Sequence, residues 1–291
     1  MLTGLYVPLI TPFDAAGAVA LEALEALTHR ILDAGAAGVV ALGTTGEPGS
    51  LSGAEQGAVV DVADRVCRER GAQLLVGAAT PHALAALRDR PEVAAALSVV
   101  PPFTRPGEAG VVAYFSRLTV ASPVPLVIYH VPYRTGQYLS ADTLRRLAAL
   151  PGVVGVKYAV GGIDDDTVAL MADLPAGFAV LGGDDAFISP LLALGAHGAI
   201  LASAHVATAQ FVEMVDAWST GDVVGARSLG HRLATLSRAL FAEPNPTVVK
   251  AVLHAHSTIP TAAVRLPLLP AHSDTTQAAL RHADALLHAS T

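Results

Sequence analysis

The chain predicts an α/β fold, a (β/α)8 TIM barrel with a C-terminal helical extension. Two observations lead there. Eight short apolar runs rich in β-branched residues alternate with amphipathic segments along the first 221 residues. The polar residues able to do chemistry gather where these runs end. Runs of this kind read as strands buried on both faces, which is the habit of parallel sheets. A composition of 52% hydrophobic and 15% charged residues in 291 supplies the apolar material for a large core.

Taken in order, the expected strands are residues 5–10, 38–42, 73–77, 95–100, 125–129, 153–157, 178–181 and 198–201. Helical periodicity fills the gaps at 21–34, 54–69, 81–88, 107–121, 141–150, 164–174, 186–194 and 206–219. Ser52 and Glu55 have the spacing of a capping box and open the second helix. Asp164-Asp165-Asp166 suits the positive end of the helix that follows strand six. Residues 186–212 contain no Asp, Glu, Lys or Arg and resemble a membrane span in hydropathy. Pro190, Gly195, His197, Gly198 and His205 interrupt them, so they read as helix, strand and helix. Eight strand–helix units in about 220 residues is the ordinary size of such a barrel. A doubly wound open sheet fits less well, because no GxGxxG follows the first strand. The boundaries expected are a barrel at 1–221 and an appendix at 222–291. The appendix is helical by pattern, with stops at Pro244, Pro246 and 260–270.

Composition excludes several function classes. The net charge is −7, and no Lys/Arg cluster forms a stripe, so neither nucleic acid nor an anionic membrane is an expected partner. The single cysteine, Cys67, cannot form an intrachain disulfide and fits a reducing compartment. Its place in a helix assigns it to packing. The N-terminus has no basic n-region, so a soluble, cytoplasmic protein is expected.

The chain has only two lysines, and Lys157 sits in the apolar run Val153-Val154-Gly155-Val156-Lys157-Tyr158. A lysine there must desolvate its ammonium, which lowers its pKa and leaves part of the amine neutral and nucleophilic. That state forms a Schiff base with a carbonyl substrate. The bland alternative is a strand end whose amine reaches solvent or a carboxylate. Gly43-Thr44-Thr45-Gly46-Glu47, after strand two, offers N–H groups and hydroxyls suited to a small carboxylate. Tyr129 lies one strand from Lys157 and has the chemistry of a proton shuttle, or else caps the core. Arg134 can grip a carboxylate bidentately, or pair with an acidic surface neighbour.

In this order and placement, these residues resemble the dihydrodipicolinate synthase / N-acetylneuraminate lyase family of class I aldolases. The resemblance runs from Pro8-Leu-Ile-Thr-Pro-Phe13 to Val264-Arg-Leu-Pro-Leu268. It implies a barrel with a helical extension, assembled as a homotetramer of tight dimers or as a homodimer. It implies that Lys157 captures pyruvate or another 2-oxo acid as an imine. Tyr129 would be the general acid and base, with Thr44 in the proton relay. Thr44 and Thr45 would bind the 2-oxo acid carboxylate, and the main chain at Gly183 and Ile200 would line the pocket. No metal and no cofactor beyond the covalent imine is implied. Lys250 falls on a helical position of the appendix and takes a structural role. Tyr129-His-Val-Pro-Tyr-Arg-Thr-Gly136 matches the synthase branch, where Arg134 would bind the carboxylate of aspartate semialdehyde.

Three departures stand out. Phe103, in Pro101-Pro-Phe-Thr-Arg-Pro106, replaces a relay tyrosine that reaches the neighbouring subunit's site, and so lacks its hydroxyl. His130 replaces the usual asparagine, and strand alternation assigns it to packing. The region 81–94 is short, and Gly53 and Gln56 stand where lysine-feedback histidines often occur, so lysine is not expected to inhibit. His254 and His256 do not share a helix face, which argues against a metal. Asp184 and Asp185 read as a loop–helix cap rather than a cation site. The leading expectation is condensation of pyruvate with an aldehyde. The alternatives are another 2-oxo acid aldolase or sugar-acid dehydratase, or a degenerate 2-oxo acid-binding paralogue.

Overall fold

A computed structural model describes residues 1–288. Its strands are β1 (Gly4–Pro8), β2 (Gly38–Ala41), β3 (Gln73–Gly77), β4 (Val93–Val99), β5 (Leu126–His130), β6 (Val153–Tyr158), β7 (Ala179–Gly182) and β8 (Gly198–Ile200). They pair in chain order, all parallel, and β8 returns to β1, which closes the barrel. Closure leaves no sheet edge, and successive side chains point alternately into the barrel and out toward the helices.

That alternation sorts the core into two layers. Tyr6, Val40, Leu75, Leu97, Val127, Leu181 and Ile200 fill the barrel interior. Val7, Val39, Leu74, Ile128, Val156 and Val180 face outward under the helices. On β5 and β6, Tyr129 and Lys157 are directly paired. Tyr129 belongs to the interior layer, so by the same parity His130 and Tyr158 face outward.

The helices that cover the barrel are α1 (Leu21–Asp33), α2 (Gly53–Arg70), α3 (Pro81–Ala85), α4 (Gly107–Ala121), α5 (Pro132–Thr135), α6 (Ala141–Ala148), α7 (Asp165–Ala172), α8 (Ile188–Ala193) and α9 (Thr208–Thr220). Then come α10 (Val223–Leu240), α11 (Thr247–Ala255) and α12 (Ser273–His288). The α10 helix lies against α8 and α9, and α12 lies against α10 and α11. Ser52 and Glu55 form the reciprocal capping box of α2. Asp164 caps α7, with Thr167 returning the bond. Cys67 is buried in α2 and its thiol is pushed up to about 12 by burial, which makes it inert. No described helix is long and apolar enough to cross a membrane.

The departures from expectation are local. The single helix expected at 186–194 is a 3₁₀ turn, Asp185–Phe187, followed by α8. Pro190 at the third position of α8 lacks an N–H, which such a position does not need. Strand β6 runs one residue past Lys157, and β4 begins two residues before 95. The one-turn α5 has no periodic signal in the sequence. Pro132 starts it and Gly136, at φ 72°, ends it.

Candidate active site

Both lysines are buried, Lys157 at 7% exposure and Lys250 at 0%. They differ in company. Lys250 Nζ lies 2.7 Å from Glu47 Oε1 in a buried ion pair and 4.1 Å over the Phe13 ring. Burial pushes its pKa down, and the adjacent carboxylate opposes that by holding the proton. Its helical, structural assignment agrees with this geometry. Lys157 has no ion pair within 4.0 Å among the described residues. Its amine sits 4.4 Å over the Tyr129 ring. Desolvation lowers its pKa to about 8, against a weaker upward pull from Asp185 and Asp184. At neutral pH about a tenth of it is then neutral, which an exposed lysine does not approach.

Tyr129 is pushed up to about 12, chiefly by burial, and its hydroxyl is hydrogen-bonded with Thr44. It is therefore a phenol at neutral pH and can donate a proton into the space above Lys157. The backbone makes room for that lysine. A Cβ built on Gly183 would lie 2.8 Å from Lys157 Cε and 3.0 Å from Ala159 Cβ. Only glycine lets the loop after β7 pass so close. Gly183 N donates to Tyr158 O at 2.8 Å, which pins that approach.

A small inner chamber of about 20 Å³ surrounds Lys157. Lys157, Tyr129, Thr44, Thr45, Arg134, Gly183 and Ile200 all line it. The chamber alone holds roughly one water. It shares Thr44, Tyr129, Arg134 and Asn245 with a larger cleft of about 550 Å³. Arg134, on α5, is exposed at the junction of the two spaces. Its guanidinium lies 5.7 Å over the Tyr133 ring, and among the described residues it has no carboxylate partner. The acidic surface neighbour entertained for it is absent from that set.

Phe103 is the exception among the expected residues. It is 88% exposed, lines neither space, and holds a left-handed φ of 67°. His130 is fully buried between Tyr138 and Tyr158, at ring distances of 5.7 and 5.8 Å, so the packing assignment agrees with the structure. The helix-cap reading of Asp184 and Asp185 is corrected. Neither side chain caps its own helix. Asp184 Oδ2 accepts from Gly161 N and Asp185 Oδ1 from Ser203 N, each at 2.6 Å. The two carboxylates tie the β7 loop to the loops after β6 and β8. No group of three metal-binding side chains occurs among the described residues. His254 faces Ile259 O and His256 faces Asp284.

Sequence reasoning misses Asn245. It lines both spaces, and its Nδ2 donates to Thr45 Oγ1 at 2.9 Å. The run Glu243-Pro244-Asn245-Pro246 carries no periodic signal, and two prolines mark it only as a helix stop. Asp185 reads in the sequence as a cap and not as a chamber residue. It is the one carboxylate lining the inner chamber among the described residues, and burial raises it to about 6.

A closed (β/α)8 barrel with a desolvated lysine and a phenol at the C-terminal strand ends is the framework of an enzyme that works on small carbonyl compounds. The sequence model of the dihydrodipicolinate synthetase family matches residues 1–286, and the chain belongs to that family. A 4-hydroxy-tetrahydrodipicolinate synthase of Neisseria meningitidis is 37% identical, with 93% of this chain and 94% of that one covered. A second synthase of that name, from Clostridium acetobutylicum, is 35% identical, covering 92% and 95%. The solved chloride-inhibited dihydrodipicolinate synthase of Acinetobacter baumannii, complexed with pyruvate, superimposes with a TM-score of 0.91. It is 33% identical over 98% of this chain and 99% of that one.

Proposed function

We propose that the chain is a Schiff-base lyase of the synthase type, condensing pyruvate with an aldehyde that carries a carboxylate, aspartate semialdehyde above all. One observation carries the reading. Of two buried lysines, Lys157 alone has no ion pair among the described residues, and it sits 4.4 Å from the ring of a phenol. The pyruvate in the similar Acinetobacter baumannii structure supports it.

The residues then act in sequence. Neutral Lys157 Nζ attacks the pyruvate ketone, and the carbinolamine takes a proton from Tyr129 and loses water. The iminium gives up a methyl proton and becomes an enamine. The Tyr129 phenolate takes that methyl proton. The enamine carbon bonds to the aldehyde carbon as its oxygen takes the proton from Tyr129. Water adds to the restored iminium to release the product and free Lys157. Thr44 hands protons to and from Tyr129. Thr45 and the N–H groups of its turn hold the pyruvate carboxylate, and Arg134 receives the carboxylate of the partner. Gly183 and Ile200 shape the walls. No cofactor beyond the imine is required.

The wider assignments belong to the same reading: a barrel of 1–221 with an appendix of 222–291, a cytoplasmic setting, no inhibition by lysine, and a homodimer or homotetramer. Phe103, bare and in a left-handed backbone, would meet a second copy. A different 2-oxo acid aldolase is the competing reading, favoured only by the missing hydroxyl at Phe103.

Borohydride trapping with pyruvate, read by intact mass and peptide mapping, tests the proposal. A pyruvate-sized adduct on Lys157, lost in Lys157→Ala, is expected. Its formation rate should rise about tenfold per pH unit up to about pH 8 and level off above, because only the neutral amine attacks. Trapping by longer 2-oxo acids alone would move the chain to another aldolase activity. No adduct with any 2-oxo acid would leave a binding paralogue.

A further inference from the structure

We infer that Asn245 is a positioning residue for the 2-oxo acid carboxylate, acting through the hydroxyl of Thr45; this rests on the function proposed above. A threonine hydroxyl has one proton and two lone pairs. Asn245 Nδ2 donates to Thr45 Oγ1 at 2.9 Å and occupies one lone pair. Two donors cannot share that line, so the Thr45 proton points elsewhere. No acceptor among the described residues is hydrogen-bonded to it, and Thr45 lines the inner chamber beside Lys157. The proton is thereby presented to an anion in that chamber.

The contact is held from two sides. The turn that carries Thr45 also carries Glu47, whose Oε1 takes Lys250 Nζ at 2.7 Å and whose Oε2 takes Arg265 N at 2.8 Å. Asn245 lies just before α11 and Lys250 in its first turn. The carboxylate-binding turn is therefore fastened to the appendix at Thr45 and again at Glu47. Asn245 Oδ1 is buried with no partner. Thr45 is accordingly the one hydrogen-bonding group that fixes the amide's orientation among the described residues.

An acceptor at position 245 should reverse the Thr45 proton. Asn245→Asp keeps the shape and removes the donor, so Thr45 would turn its proton toward the new carboxylate and away from the ligand. The added charge also repels a carboxylate, and a Thr45→Val background separates the two effects. The reading is the pyruvate concentration that half-saturates borohydride trapping on Lys157, beside the unfolding temperature. Asn245→Asp should raise it more than about tenfold with Thr45 present, the size of one hydrogen bond to a charged group. In the Thr45→Val background the same change should raise it at most about threefold, because no hydroxyl is left to turn. Asn245→Ala, which frees the hydroxyl without adding charge, should raise it a few-fold with Thr45 present and leave it unchanged in the Thr45→Val background. If Asn245→Asp does not fold, the Asn245→Ala pair decides alone. Equal shifts in both backgrounds, or none with Thr45 present, overturn the inference while leaving the imine intact. A wild-type protein that traps no pyruvate overturns the proposed function and this inference with it.

Discussion

Gly183 shows how one missing side chain sets the chemistry. Its Cβ would stand 2.8 Å from Lys157 Cε and 2.9 Å from Lys157 Cγ. Gly183→Ala should therefore displace the amine and slow adduct formation by about 10²-fold, the usual result of moving a reacting group by about an ångström. Far-UV circular dichroism should be unchanged, since the loop lies outside the strands. His130 makes the opposite case, a polar group kept for no partner. Both ring nitrogens are buried without a hydrogen bond, and burial lowers its pKa to about 4 despite Asp164, Asp166 and Glu108 nearby. The folded value lies below the unfolded one of about 6.5. The stability this contributes is complete above about pH 6.5 and is lost as pH falls toward about 4. His205, buried with the same shift, acts in the same direction. His130→Phe should raise stability at pH 7 by about 1–3 kcal/mol, because an apolar ring has no donor or acceptor to leave unpaired. Urea unfolding at pH 7 and pH 5 should show a smaller loss on acidification for the variant than for the wild type. An equal loss would assign the sensitivity elsewhere.

At the scale of elements, the loop after β2 and helix α11 behave as one unit. Leu42 and Glu47 both hold φ 54°, a left-handed value that costs energy in residues other than glycine. Tertiary contacts hold the turn between them: Thr11 Oγ1 to Gly46 O at 2.7 Å, Asn245 to Thr45, and the Glu47–Lys250 pair. Breaking that buried pair by Lys250→Met leaves Glu47 Oε1 buried without its cationic partner, with only Oε2 still bonded to Arg265 N, and should cost about 3–5 kcal/mol. Adding Glu47→Gln should recover part of that loss, because the stranded charge is gone. Denaturant midpoints of the two variants check this, and a double variant no more stable than the single would refute it. The elements themselves are legible in the sequence because strands and helices differ in period. Every expected strand lies within two residues of its observed position. The helix expected at 186–194 begins late, at Ile188, because the chain first makes the 3₁₀ turn from which Asp185 reaches Ser203 N. That bond spans 18 positions, and apolar periodicity carries no sign of it.

At the scale of the whole molecule, one aromatic is out of place. Phe103 is exposed and strained while its backbone is held, with Phe103 N donating to Thr135 O at 3.2 Å. In the proposed dimer, Phe103→Tyr restores a hydroxyl near a second copy's site. Turnover should then rise by about 10–100-fold, with KM for pyruvate little changed. Analytical ultracentrifugation on both proteins supplies the control. A monomer whose turnover does not respond would remove Phe103 from the reaction.

Lys157, Tyr129, Thr44, Thr45, Arg134, Gly183 and Ile200 can be named from one chain, and all seven line the same chamber. Gly183 and Ile200 are named only through the family resemblance. For Lys157 and Tyr129 the strand period of two fixes the inward face, and parallel closure brings every strand's C-terminal end, with the turns that carry Thr44, Thr45 and Arg134, to one mouth. Asn245 and the Glu47–Lys250 and Glu47–Arg265 contacts are not legible. They join residues separated by 200, 203 and 218 positions. No local period links such positions, and a hydrogen bond across that distance exists only once the appendix has docked. Chain pattern determined the barrel, its inward residues and the place of Lys157 in a buried strand. Docking alone decided which of two buried lysines is paired off, and what holds the turn after β2 in its strained shape.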